Sequence, residues 1–166
     1  MSEQTPFNPE ANKLPSGLNV LTILTFIGCG LGLIMGVWNF FGAKKGLDAM
    51  EEMINSGKVD DMPAFARSFY SPEALEQARI AYENRLPIFI IGIVGITLCF
   101  YGALQMRKLK SQGYLMYLIG ELLPFVGYII FVGMSSITGM GGIIGLVIAG
   151  LFILLYTMQR KYLVHK

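Results

Sequence analysis

The sequence predicts an all-α integral membrane protein with four transmembrane helices in a bundle, and three observations support that fold class. Only 14% of its 166 residues are charged, whereas a soluble domain carries about 25% charged residues. Charges are absent from residues 14–43 and 86–106, and residues 111–159 contain only Glu121. About 20 apolar residues suffice for a helix to cross a bilayer, and a lone strand in lipid would leave its backbone unpaired.

The third charge-poor run is long enough for two spans. Its middle, residues 135–142, reads SSITGMGG, and clustered Ser, Thr and Gly residues break a helix and permit a tight turn. We therefore divide the run there and expect an uncharged hairpin between two helices. The four predicted spans are residues 18–41, 87–106, 114–134 and 141–159.

Residues 1–17 are polar and contain prolines, which predicts a mobile N-terminal tail. Residues 18–166 then form a single four-span membrane domain. The tail lacks the basic start and short apolar core of a cleaved signal peptide, so we expect the first span to stay in the membrane as an anchor. The expected location is the cell membrane.

The composition argues against several function classes. A net charge of +2 without a basic cluster disfavours nucleic-acid binding. Cys29 and Cys99 lie inside spans without a paired metal-binding spacing, and the only histidine is His165. Because no nucleophile motif, phosphate loop or haem-like histidine pair is present, we expect neither enzyme activity nor a cofactor.

The distribution of lysine and arginine predicts that both termini face the cytoplasm. In that orientation the inner side carries seven basic residues and the outer side four, which follows the bias towards basic residues in cytoplasmic loops. The inner set is Lys13, Arg107, Lys108, Lys110, Arg160, Lys161 and Lys166, and the outer set is Lys44, Lys45, Arg79 and Arg85.

The one sizeable external segment is residues 44–86, for which we expect two short amphipathic helices. The stretch KKGLDAMEEMINSG, residues 44–57, places apolar residues on one helical face and ends in Asn-Ser-Gly. A second helix begins after Ser71, which is a suitable N-cap, with Pro72 in the first helical position. The sequence between them predicts irregular structure. The segment is either a solvated connector or a docking surface for an external partner.

Small residues at a spacing of four predict two smooth strips for helix packing. Helices in lipid associate through close backbone approach, which small residues permit. The strips fit packing inside one bundle, and alternatively one of them could face outward and form a homodimer. The residues are Gly28, Gly32 and Gly36 on the first span, and Gly141, Gly145 and Ala149 on the fourth.

Glu121 is the one charge inside the third span, where a central charge costs about 2.5–3.5 kcal/mol. It shares a face about 80° wide with a row of tyrosines and a proline, as 100° per residue requires. We therefore expect Glu121 to face other helices rather than lipid. The row is Tyr114, Tyr117, Glu121, Pro124 and Tyr128.

Depth along the antiparallel spans predicts the partners of Glu121. Counting inward at about 1.5 Å per residue brings polar side chains of the other three spans to its level. The predicted set is Tyr101, Gln105, Thr25 and Tyr156. A protonated Glu121 could then form a structural hydrogen-bond clasp, it could serve as a proton or cation site, or it could contact a lipid headgroup or a quinone. Pro124 predicts a bend, because it leaves the carbonyl of Gly120 without its helical partner and open to a hydroxyl or water.

Two hypotheses about function follow. The first is a non-enzymatic multi-pass membrane protein, an accessory or scaffold subunit whose bundle supports residues 44–86. The second is a small proton- or cation-coupled transporter, or a channel-like oligomer, that works through Glu121. The expected partners are the lipid bilayer and a homo-oligomer or larger membrane complex, without nucleic acid. We favour the first hypothesis because the two pairs of spans show no convincing internal repeat.

Overall fold

The computed structural model describes residues 14–163 and is helical throughout that range apart from short connections. Four of its helices, namely α1, α4, α5 and α7, are long and apolar enough to cross a membrane, as predicted. The helices are α1 Ser16–Asn55, α2 Ala64–Arg67, α3 Pro72–Glu83, α4 Arg85–Arg107, α5 Gln112–Phe131, α6 Ser135–Thr138 and α7 Met140–Gln159. Most of the predicted N-terminal tail, together with Lys13, His165 and Lys166, lies outside the described residues.

The helix α1 is longer than the predicted first span, because it continues into the first predicted amphipathic helix. Gly42 alone does not break it, and an ion pair between Lys44 and Asp48 (3.3 Å) supports the next turn. The helix ends at Asn55, and Gly57 follows with a φ of 69°, a conformation that favours glycine. The segment from residue 44, which the sequence predicts as a separate helix, therefore forms the last three turns of α1.

The connection from α1 to α3 is built from short helical turns rather than irregular chain. Arg67 ties it together, since its guanidinium donates to the backbone carbonyls of Asp60 (2.7 Å) and Met62 (2.8 Å). The helix α3 begins as predicted, with Pro72 in its first turn and the hydroxyl of Ser71 accepting from the backbone N–H of Ala74 at 3.1 Å.

The helices α4 and α5 form the tightest pair in the molecule, and glycines make this possible. A Cβ atom added to Gly102 would lie 2.7 Å from the carbonyl oxygen of Gly113, and one added to Gly95 would lie 2.9 Å from that of Gly120. The two backbones are thus in direct contact at two levels, seven residues apart on each helix. Carbonyl groups directed at glycine Cα atoms in this way recur at helix–helix interfaces.

The uncharged hairpin between the third and fourth long helices lies where Ser, Thr and Gly cluster. The helix α5 ends at Phe131, and Gly133 turns the chain with a φ of 107°. One turn of helix, α6, and the extended Gly139 then lead into α7.

Burial divides the bundle into two halves of different character. The half that contains the start of α1 and the end of α4 holds most of the buried side chains, and we call it the closed half. The other half contains α3 and the start of α4, and we call it the open half because a large cavity occupies it. The largest fully buried side chains all belong to the closed half: Tyr156, Leu18, Met106 and Thr22.

Candidate functional site

Glu121 lies near the middle of α5, at the boundary between the two halves. The contact between Gly95 and Gly120 brings α4 so close that the thiol of Cys99 reaches the Glu121 carboxylate, with Sγ 3.6 Å from Oε2. The same sulfur lies 3.7 Å from the backbone carbonyl oxygen of Tyr117. The helix contact therefore sets the immediate partner of this carboxylate, and that partner is a weak donor.

The Glu121 carboxylate lines a cavity of about 350 Å³ that lies between α1, α4, α5 and α7. The wall is mostly apolar and includes glycines of three of these helices. Among its described lining residues, Glu121 is the only carboxylic acid. The polar and polarisable side chains in the wall are Thr25, Cys29, Cys99, Tyr117 and Glu121.

A hydroxyl pair fastens α1 to α7 beside this cavity. The hydroxyls of Thr25 and Tyr156 are 2.7 Å apart, and the Tyr156 side chain is fully buried. The ring of Tyr156 packs against that of Tyr117, with centroids 4.5 Å apart. A buried tyrosine normally finds such a partner for its hydroxyl, because an unpaired one is costly.

The structure brings only part of the predicted set around Glu121. Thr25, Tyr117 and Pro124 line its cavity, and Tyr156 is connected to the cavity through Thr25. The sequence also predicts Tyr101 and Gln105 beside Glu121, and that prediction is wrong. Their side chains bond to each other at 2.7 Å, and 47% of Tyr101 is exposed.

The reason is the orientation of α4. The face of this helix that meets α5 is the one that carries Gly95, Cys99 and Gly102, because only small residues allow the backbones to touch. Tyr101 precedes Gly102, so its side chain is rotated by about 100° away from the contact. The depth of Glu121 correctly predicts which part of α4 lies beside it. The small residues decide which side chain of that part faces Glu121.

The surroundings of Pro124 also differ from the expectation. Its ring packs against Gly95, where an added Cβ atom would lie 3.1 Å from Pro124 Cγ. The carbonyl oxygen of Gly120, which Pro124 leaves without its helical donor, is directed at the same glycine. The backbone of α4, rather than a hydroxyl, therefore covers the freed carbonyl group.

The predicted small-residue strips do not mediate close backbone contacts within this chain. Among the described atoms, none lies within 4 Å of a Cβ atom added to Gly28 or Gly141. Gly32, Gly36 and Gly145 face side chains rather than a neighbouring backbone, and Ala149 is buried. Packing of the strips inside one bundle is therefore wrong, because at these positions the facing helix presents side chains rather than a small residue. The alternative, an outward strip that forms a homodimer, stays a prediction.

The glycines of α4 and α5 that make close contacts are spaced by seven residues, a pattern that a search for a spacing of four does not find. On α4 they are Gly95 and Gly102, and on α5 they are Gly113, Gly120 and Gly127, so both helices repeat glycine every seven residues. A repeat of seven keeps one residue type on one face of a helix over two turns. Matching repeats on two consecutive spans could have predicted this interface.

The site offers limited chemistry. The Glu121 carboxylate can hold or release a proton, or it can contact a cation that enters the cavity. Within residues 14–163, no group of three or more His, Cys, Asp or Glu side chains could hold a metal ion.

Four helices that are long and apolar enough to cross a membrane are typical of a multi-pass helical membrane protein. No protein-family model, curated protein or solved structure matches the chain.

Proposed function

We propose that the protein is a non-enzymatic membrane subunit that holds a folded platform outside the bilayer for another component of a membrane complex. The length of α1 carries this proposal. Forty helical residues extend for about 60 Å, twice the roughly 30 Å of the hydrocarbon core. A helix that serves only as an anchor has no need of the additional turns.

The platform comprises residues 44–86, and it is braced internally. The guanidinium of Arg79 on α3 donates two hydrogen bonds to Glu51 Oε1 near the end of α1, at 2.8 and 3.0 Å. Arg67 holds the connection between the two helices. These contacts favour an ordered surface over a loose connector.

Two aromatic side chains on the platform are exposed and therefore suit a protein partner. Phe65 is 67% exposed and Phe69 is 42% exposed. Aromatic residues are enriched in protein interfaces, where they act as anchors in the centre of the contact. A partner that covers them would bury apolar surface that the chain leaves open to water.

We further propose that the platform lies outside the cytoplasm and that both termini face the cytoplasm. The basis is the excess of lysine and arginine on the side of the termini. Labelling of introduced cysteines in intact cells tests this orientation. A cysteine at Ser56 should react with an impermeant reagent, and a cysteine at Ser111 should not; the reverse pattern would contradict the orientation.

Site-specific photocrosslinking tests the platform. A photoreactive amino acid at Phe65 should yield a discrete protein adduct in cells, and one at the lipid-facing Trp38 (78% exposed) should yield lipid adducts only. Replacement of Phe65 by glutamate should remove the partner from the complex purified in mild detergent without a change in the melting temperature. Lipid adducts alone from both positions would contradict the proposal.

A second candidate function is proton- or cation-coupled transport through Glu121. It is supported by two neighbouring cavities, since Ile96 and Pro124 contribute to both the 350 Å³ cavity of Glu121 and the larger cavity of the open half. If Glu121 transports a proton, Glu121→Gln should fold normally and lose pH-driven flux in proteoliposomes. Glu73→Gln, outside the membrane, is the matched control. Equal flux from wild type and Glu121→Gln would exclude this function.

A further inference from the structure

A cavity of about 480 Å³ occupies the open half, between α1, α3, α4 and α5. Its volume is within the range of small-molecule sites, about 300–1,000 Å³. Along α4 the wall runs from Arg85 to Ile96, which is about 16 Å at 1.5 Å per residue. That length corresponds to about half of the 30 Å hydrocarbon core, or one leaflet.

The wall is smooth and almost entirely apolar along this length. Each of the three long helices that border the cavity contributes glycines to its wall, namely Gly32 and Gly36 on α1, Gly92 on α4 and Gly127 on α5. The rings of Phe40 on α1 and Phe89 on α4 also line the cavity and pack against each other with centroids 4.7 Å apart. A space of this composition favours a flexible hydrocarbon chain over a polar ligand.

One end of the cavity is polar, and it holds a positive charge. Arg85, the first residue of α4, lies with its guanidinium 4.4 Å from the ring centroid of Tyr82 and donates to the Tyr82 carbonyl at 3.1 Å. Within the described part of the chain, Arg85 forms no ion pair with a carboxylate. Asn39 and Tyr128 also line the cavity.

We propose that this cavity binds one acyl chain of an anionic amphiphile, with the carboxylate or phosphate of its head at Arg85. Two observations meet here: the apolar wall has the length of one leaflet, and the cation lies at its polar end. This inference does not depend on the platform or on transport through Glu121.

Binding to the full chain in mild detergent tests the inference, with native mass spectrometry as the measurement and palmitate as the probe. We expect palmitate to remain bound and hexadecanol, which has the same chain without the charge, to bind about tenfold more weakly. Arg85→Gln should abolish that difference by weakening palmitate alone. Lys58→Gln, which removes a platform charge away from the cavity, should have no effect.

A pair of glycine substitutions tests whether the acyl chain lies in the cavity. Among residues 14–163, no atom lies within 4 Å of a Cβ atom added to Gly92 or to Gly150, so leucine fits at both positions. Gly92→Leu fills the cavity and should reduce palmitate binding at least tenfold, by about the value of several buried methylene groups. Gly150→Leu on α7 should bind palmitate as the wild type does.

Competition between palmitate and phospholipids shows whether the amphiphile is a free fatty acid or an anionic phospholipid. If phosphatidylglycerol displaces palmitate and phosphatidylcholine does not, the site is one for an anionic phospholipid. If neither phospholipid competes, the site takes a free fatty acid. Equal binding of palmitate to wild type, Gly92→Leu and Arg85→Gln, or no retained palmitate in the wild type, would overturn the inference.

Discussion

The closed and open halves of the bundle use the same kind of residue for opposite purposes. In the closed half, Gly102 meets the backbone of α5, and little space remains between the two helices. In the open half, Gly92 of the same helix faces a cavity of about 480 Å³. The two glycines are ten residues apart, which at 100° per residue places them about 80° apart around the axis of α4. Glycine therefore permits backbone contact on the face of α4 that meets α5, and it leaves open space on the face beside it.

Polar contacts follow the same division. In the closed half, hydroxyl groups bond across helices, as between Tyr114 and Thr157 at 2.7 Å, and Arg107 donates to Thr22 at 3.2 Å. In the open half the polar contacts between helices lie at the outer end, where Arg79 on α3 bonds to Glu51 on α1 and the side-chain amide of Asn84 donates to the Phe131 carbonyl at 3.4 Å. We expect the closed half to govern the stability of the bundle and the open half to adapt to a ligand.

The most direct way to break this comparison is to add one methyl group to each half of α4. Gly102→Ala places a Cβ atom 2.7 Å from the Gly113 carbonyl oxygen, so the helices must separate. We expect a loss of about 1–3 kcal/mol in the free energy of unfolding, as for other overpacked sites. Unfolding of the purified protein by SDS in mixed micelles provides the measurement.

Gly92→Ala is the matched control on the same helix. Its Cβ atom meets no described atom within 4 Å, and alanine favours a helix over glycine by up to about 1 kcal/mol. Stability should therefore stay the same or rise. If the two variants lose equal stability, the division into a closed and an open half is wrong.

The sequence predicted the four long helices well because charge and apolar length determine them directly. It predicted less of the site, because orientation about the helix axis depends on the neighbour. Tyr101 and Cys99 lie at nearly the same depth, and only the facing glycines of α5 show that Cys99 meets Glu121. The length of α1 does not follow from the charge-free run, because Lys44 and Lys45 end that run but not the helix.

Removal of the N-cap of α3 should weaken the wall of the open half alone. Ser71→Ala removes the acceptor for the Ala74 N–H, which typically costs about 1 kcal/mol of helix stability. We expect faster amide hydrogen exchange in α3, with exchange in α4 and α5 unchanged. Accelerated exchange across all three helices would show that the open half is not independent of the closed half.

The same cap has a consequence for pH. Hydrogen bonds from its own backbone N–H and from Ser71 hold the pKa of the Glu73 carboxyl below its usual range. The pKa of Glu73 is lower in the folded state than in the unfolded state. The stabilisation from these hydrogen bonds is therefore fully present above the unfolded-state pKa, and it is lost as the pH falls through the folded-state pKa. Acidification should therefore lower the protection of the α3 amides in the wild type, measured as the exchange rate relative to the intrinsic rate at the same pH. In Ser71→Ala the Glu73 pKa, followed by NMR titration, should move back towards its usual value.

A double-mutant cycle on Thr25 and Tyr156 measures how strongly the closed half fastens α1 to α7. Thr25→Val and Tyr156→Phe each remove one hydroxyl of the 2.7 Å contact with little change in shape. Hydrogen bonds between membrane helices contribute about 0.6 kcal/mol on average and at most about 1.7. We expect a coupling in that range from SDS unfolding. A coupling of zero would mean that the contact between these two hydroxyls does not fasten α1 to α7, and that α7 is held by its other contacts, such as the Tyr114–Thr157 hydrogen bond and the ring packing against Tyr117.

The ion pair between Glu51 and Arg79 should give the smallest effect, although it joins the ends of two helices. Its side chains are 35% and 51% exposed, so water and salt screen the attraction. Exposed pairs typically contribute between about 0.2 and 1 kcal/mol, and we expect the lower part of that range. Glu51→Gln should lower stability slightly at low salt, and the difference from wild type should vanish near 1 M salt, where the screening length is about 3 Å.

The i,i+4 pair Lys44–Asp48 lies within α1 alone, so Asp48→Asn is the control. Asp48→Asn should leave amide exchange in α3 unchanged, while Glu51→Gln should speed it. If Glu51→Gln also leaves exchange in α3 unchanged at low salt, then apolar contacts between α1 and α3, and not this charge pair, hold the outer end of the open half together.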